Sequence, residues 1–138
     1  MIAYLDSSVV LRVVLGQRGS LREWKAVEMG VSNALMEVEC LRTLDRLRPL
    51  EGIAEDEIAR RREAVYRIVE AMTLIEPTRP VLARAAQPLP TVLGTLDAIH
   101  LATALLWRER SDADLVMATH DASLGLAARA VGFRVIGL

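Results

Sequence analysis

The residues in this chain best suited to chemistry are carboxylates. Other kinds of site lack their residues. No Gly-x-Gly-x-x-Gly follows the first apolar run and no Gly-x-x-x-x-Gly-Lys-Ser/Thr occurs, which excludes Rossmann and P-loop nucleotide binding. Gly-x-Ser-x-Gly is absent, so there is no nucleophile elbow. The single cysteine, Cys40, can form neither an internal disulfide nor a zinc site of paired cysteines, and is expected to be a buried thiol without chemistry. Four acids remain, Asp6, Glu39, Asp97 and Asp121, each placed where a parallel sheet could bring it to one crevice.

In open parallel sheets, ligands bind beyond the carboxyl ends of the strands. Asp6 ends the apolar run from Ile2 to Leu5, and Asp121 comes just after the run from Leu115 to Thr119. Asp97 follows a cap candidate, Thr95, by two residues, in a first helical turn where the dipole favours an anion by about 0.3–1 kcal/mol. His100, three residues on, shares its face. At 100° per residue Glu39 falls in a polar sector with Arg42, Thr43 and Arg46, opposite Met36, Cys40, Leu44 and Leu47. Glu37 falls in the apolar arc and reads as a margin or partner contact. Taken singly, each acid has a plainer reading. Asp6 and Asp121 could be N-caps, Asp97 a first-turn acid, His100 a satisfied boundary histidine and Glu39 part of a surface charge pattern. Asp114 precedes its strand and so lies about 17 Å from the end where Asp121 sits; it and Asp112 are left out of the crevice.

The elements that must position these residues alternate. Ile2–Leu5 is a strand and Val9 to Leu15 a helix. Ser20-x-x-Glu23 is a capping box that predicts a second helix ending at Gly30, with Leu21, Trp24 and Val27 on one face. A brief extended step at Val31-Ser32 leads to a helix from Asn33 to Leu47, and a long helix runs from about Glu55 to Met72. Thr73 to Ile75 is a strand, Pro80 opens a short helix, and a helix follows from Leu96 to about Arg110. Leu115 to Thr119 is a strand, Ala122 to Val131 a helix, and Phe133 to Ile136 a last strand. Strand and helix alternate without a hairpin signal, so the fold class is α/β with a mostly parallel sheet. The mixed charges from Asp56 to Glu63 read as a solvated helix face, and Trp24 and Trp107 as core or dimer-face residues.

At 138 residues and 52% hydrophobic, the chain fits a single domain over residues 1–138 and excludes intrinsic disorder. Charges interrupt every apolar run before the ~18 residues a membrane helix needs, and no basic leader opens the sequence; a cytoplasmic protein is expected. A net charge of −1 gives no global attraction to nucleic acid, so any such binding must come from a local patch. Lys25 is the only lysine among 17 basic residues.

Taken together, Tyr4-Leu5-Asp6-Ser7-Ser8, the stretch from Val31 to Arg42, Leu96-Asp97-Ala98-Ile99-His100-Leu101-Ala102-Thr103-Ala104, and Ala118-Thr119-His120-Asp121 closely resemble the PIN-domain ribonucleases of the VapC toxin type, in order and along the whole chain. The resemblance implies a three-layer α/β/α fold, magnesium or manganese held by carboxylates, RNA phosphodiester hydrolysis, a cognate antitoxin and a homodimer. Carried over by motif, the family's four acids fall on Asp6, Glu39, Asp97 and Asp121. Asp6 and Asp97 are then the expected direct metal ligands, Asp121 a ligand or second-ion site, and Glu39 a water-mediated ligand or water orienter. Thr119, Ser7 and His100 are supporting residues. Gly94 stands where the resemblance leads one to expect an arginine.

Two other readings compete. A catalytically silent module could use the same acidic cleft to dock a basic partner. A phosphoacceptor receiver domain also offers an acidic pocket, but Lys25 comes too early to serve as its late-strand lysine.

Overall fold

The computed structural model describes residues 1–138. Its centre is a five-stranded sheet of β1 (Ile2–Leu5), β2 (Met29–Asn33), β3 (Thr73–Ile75), β4 (Leu115–Ala118) and β5 (Val135–Ile136), in the order β3-β2-β1-β4-β5. Every pairing is parallel, with Tyr4 opposite Val31 on one side and Met117 on the other. The chain steps outward from β1 to β2 and β3, then returns to lay β4 on the free side of β1. The β1–β4 boundary is therefore the switch point at which helices diverge and open a crevice beyond the strand ends.

Because strand side chains alternate, β1 feeds two cores. Tyr4 points into one with Leu101, Leu105, Leu124 and Phe133, covered by α5 (Thr95–Ser111) and α6 (Ala122–Ala130). Ala3 and Leu5 point into the other with Val9, Val10, Met36 and Leu44, covered by α1 (Ser7–Val14), α2 (Leu35–Glu51) and α3 (Glu55–Glu70). The short α4 (Arg79–Ala85) lies against α5. This is the three-layer α/β/α arrangement that the resemblance implies, built on the parallel sheet expected from the alternation.

The helix expected from Ser20 to Gly30 does not form. The segment is a run of turns with one 3-10 turn at Trp24–Ala26, and Gly30 lies inside β2. Gly30 is there for close packing. A Cβ on it would meet Leu5 Cδ1 at 3.0 Å and Met72 Cγ at 3.3 Å, so the glycine lets the turn between α3 and β3 press on the strand. Leu21 alone of the box segment is fully docked in the core. Smaller expectations also shift: Asn33 still belongs to β2, and α2 starts at Leu35 and runs on through Pro49 to Glu51. Gly94 rather than Thr95 occupies the N-cap of α5, and Phe133 closes α6 beneath Arg108 instead of opening the last strand. Trp24 and Trp107 are partly buried against the two cores, and the Asp56–Glu63 run forms the exposed ion pairs of α3.

Candidate functional site

α5 precedes β4 and runs opposite to it, so its first turn reaches the same edge as the carboxyl ends of β1 and β4; the start of α2, just after β2, reaches it as well. That edge holds Asp6, Glu39, Asp97 and Asp121.

Asp6 stands at the N-cap position of α1 but spends nothing on capping. It is 4% exposed, and its Oδ2 accepts hydrogen bonds from Ser8 Oγ at 2.6 Å and Thr119 Oγ1 at 2.9 Å, leaving Oδ1 without a protein donor. Asp121 does cap: Oδ1 accepts the Leu124 N–H at 2.8 Å, and Oδ2 is free. The plain cap reading thus holds for one oxygen of Asp121 and fails for Asp6. Thr119 ties the two together by donating to Asp6 and accepting the Asp121 N–H at 3.0 Å.

Glu39 is fully engaged. Ser7 Oγ donates to Oε2 at 3.1 Å, and His100 Nε2 donates to Oε1 at 2.5 Å. His100 is buried, and its Nδ1 lies 2.7 Å from Tyr4 Oη, which in turn accepts the Asn33 N–H at 3.1 Å. With that lone pair taken, the Tyr4 hydroxyl is placed to donate to Nδ1 of the neutral ring, which puts the ring proton on Nε2, facing Glu39. Burial works against a charged imidazole, but the Glu39 bond and the charges of Glu39, Asp6 and Asp97 outweigh it and raise His100 above its ordinary range. Burial likewise holds the Tyr4 phenol well above its usual range, so it stays protonated.

Asp97 differs from the other three. It makes no side-chain hydrogen bond and no ion pair. Burial first, then the charges of Asp121 and Asp6, push its carboxyl up from 3.8 to about 6, with His100 partly offsetting them. No arginine or lysine pairs with Asp6, Asp97 or Asp121. No three of the chain's histidine, cysteine and acidic side chains are drawn tightly enough together to ligate one ion directly. Magnesium needs few direct protein ligands, because it keeps several waters. A half-buried carboxylate without a donor, beside two others that each keep an oxygen free, is a donor set that fits such an ion.

Sequence reasoning missed Tyr4, Ser8, Asn33 and Thr103. Asn33 Nδ2 donates to Thr103 Oγ1 at 2.9 Å while its Oδ1 accepts the Leu35 N–H, so the last residue of β2 ties that strand end to α5 and holds the first N–H of α2. The available signal was polar residues inside apolar runs, such as Tyr4 in a buried strand. Cys40 is as expected: burial first, then the charges of Glu39, Asp6 and Glu37, push its thiol up to about 12. Tyr4→Phe is expected to cost about 2–3 kcal/mol, because it strands the Asn33 N–H and the His100 ring nitrogen in the core. Urea unfolding measures this; a midpoint equal to wild type would show that the relay bears no strain.

A PIN domain profile matches residues 3–129. Ribonuclease VapC46 of Mycobacterium tuberculosis is 34% identical over 137 residues, covering 96% of this chain and 95% of that protein. With the parallel sheet, the acidic edge and these matches in agreement, the chain belongs to the PIN-domain family, among its VapC-type ribonucleases.

Proposed function

We propose that the protein is a divalent-metal-dependent endoribonuclease, the toxin of a toxin–antitoxin pair, with Asp6, Glu39, Asp97 and Asp121 as its catalytic residues. The observation that carries this reading is Asp97, a carboxylate pressed by its neighbours and given no donor or cation by the protein. The free oxygens assign roles. Asp6, Asp97 and Asp121 would hold the ion, in part through its own waters, and Glu39, with both oxygens engaged, would orient water. Bound magnesium or manganese supplies charge neutralisation for the phosphodiester and acidifies a water at the site. Ser8 and Thr119 fix the rotamer of Asp6, while Ser7 and His100 fix that of Glu39. Tyr4 holds His100 in turn.

The expected test is direct. The chain freed of antitoxin should cut defined RNAs with magnesium and stop when a chelator is added; undiminished cleavage in chelator would overturn the metal assignment. A silent docking module has no specific observation in its favour, since Ser8, Thr119 and His100 spend buried hydrogen bonds on orienting the acids.

RNA substrate and antitoxin place the protein in the cytoplasm on this reading; no helix is long and apolar enough to cross a membrane. A homodimer is supported by the apolar surface of α4 and the segment after it, where Leu82 and Val92 are exposed. Sedimentation should give twice the 15.2 kDa chain mass, and a 15.2 kDa species at high micromolar concentration would count against the dimer.

A further inference from the structure

Beside the acidic edge lies a groove of about 560 Å³ whose lining beyond Ser7 and Glu39 the metal chemistry does not use. It starts at Ser7 and Glu39 and runs along α2, whose Glu39, Arg42, Thr43 and Arg46 recur at i, i+3, i+4 and i+7 and so share one face. Its apolar lining includes Val38 and Leu96, which are 55% and 47% exposed.

The two arginines differ in what already holds them. Arg42 bonds Asp45 at 2.9 Å, and Asp45 is shared with Arg62 at 3.7 Å. Arg46 makes no ion pair; its guanidinium touches only the Thr43 hydroxyl, at 3.2 Å. An uncompensated cation therefore faces the groove, about 10.5 Å along the helix axis from Glu39. A chain of net charge −1 with carboxylates at its centre cannot draw in a polyanion by overall charge, so cations at the cleft margin must hold the backbone. The same guanidinium disfavours a basic peptide here. The exposed aliphatic shelf suits unstacked bases, which only a single strand presents.

We propose that Arg46, assisted by Arg42, binds a backbone phosphate of single-stranded RNA one or two nucleotides from the phosphodiester at the acidic edge, with a neighbouring base against Val38 and Leu96. This subsite rests on the ribonuclease reading and names how that substrate is held.

The test uses the full chain carrying Asp97→Asn, which keeps RNA intact, and a labelled single-stranded oligoribonucleotide whose binding is measured across a salt series. Adding Arg46→Gln should weaken binding roughly three- to tenfold and flatten the slope of log affinity against log salt by about 0.7, with about 1.4 for Arg42→Gln and Arg46→Gln together. Arg46→Lys should keep the slope. Arg110→Gln, in the last turn of α5, should change neither quantity. Salt-dependent binding by the parent that Arg46→Gln leaves untouched would overturn the subsite and spare the ribonuclease reading. A parent and wild type that neither bind nor cut any RNA would overturn both. A duplex bound as tightly, with the same dependence on Arg46, would overturn the single-strand assignment.

Discussion

Replacing Asp97 by asparagine is expected to make the metal-free protein more stable at pH 8 while removing RNA cleavage. The carboxyl is raised to about 6 in the folded chain from an ordinary 3.8, so folding favours its protonated form. Well below pH 3.8 the group is protonated whether folded or not, and it costs nothing. As pH rises towards 6 the unfolded chain releases the proton first, and stability falls; above 6 the whole penalty is present. Asp97 is only half-buried, so solvent screening reduces the nominal shift to about 1 kcal/mol. In a chain of this length that is roughly 3–5 °C of melting temperature. Asparagine carries no charge at any of these pH values, so its melting curve should lie above wild type at pH 8 and converge on it as the pH falls towards 4. Magnesium should reverse the order. A ligand at a hundred times its Kd stabilises by about 2.7 kcal/mol, and most of that should be lost with the Asp97 charge. Ion binding also displaces the Asp97 proton, so the magnesium shift in wild type should shrink below pH 6. Thermal melts from pH 4 to 8, with and without magnesium, check all of this; identical curves for wild type and Asp97→Asn would refute it.

Much of this site could be read before the fold was known, for a definite reason. Asp6, Asp97 and Asp121 each sit at the end of a strand or the start of a helix, and in a parallel sheet such positions share one edge. Glu39 was legible from a helical wheel because α2 is long and its faces differ in polarity. What the sequence could not convey was how the oxygens are shared. Asp6 and Asp121 look alike as Asp before a helix, yet one is bound by hydroxyls from Ser8 and Thr119 and the other by the N–H of Leu124. One of these partners, Thr119, is more than a hundred positions from Asp6, beyond any local pattern. The same limit explains Ser20-x-x-Glu23. Its cap signal is local, whereas Gly30 answers to Leu5 and Met72, which only the sheet and α3 bring against it. His100 was read as a boundary residue or a minor support, and burial together with its bonds to Tyr4 and Glu39 makes it the strut of Glu39.

The acidic edge also reframes its own electrostatic strain. Four equally repelling carboxylates would share the cost, but hydroxyls, a backbone N–H and an imidazole already serve three of them. The penalty is concentrated on Asp97, which is why its removal should be visible in a melt.

The most direct measurement of whether these acids form a metal-dependent catalytic site is RNA cleavage and magnesium titration for Asp121→Asn beside Asp114→Asn. Asn caps a helix about as well as Asp, so Asp121→Asn keeps the bond to the Leu124 N–H and the fold of α6 and removes only the charge. Asp114 is exposed just before β4, at the opposite end of the strand that Asp121 follows. Asp121→Asn is expected to fold normally, to lose at least about a hundredfold in cleavage rate (about 2.7 kcal/mol of transition-state stabilisation) and to bind magnesium more weakly; Asp114→Asn should match wild type in both. Equal cleavage and equal magnesium affinity in the two variants would contradict the site.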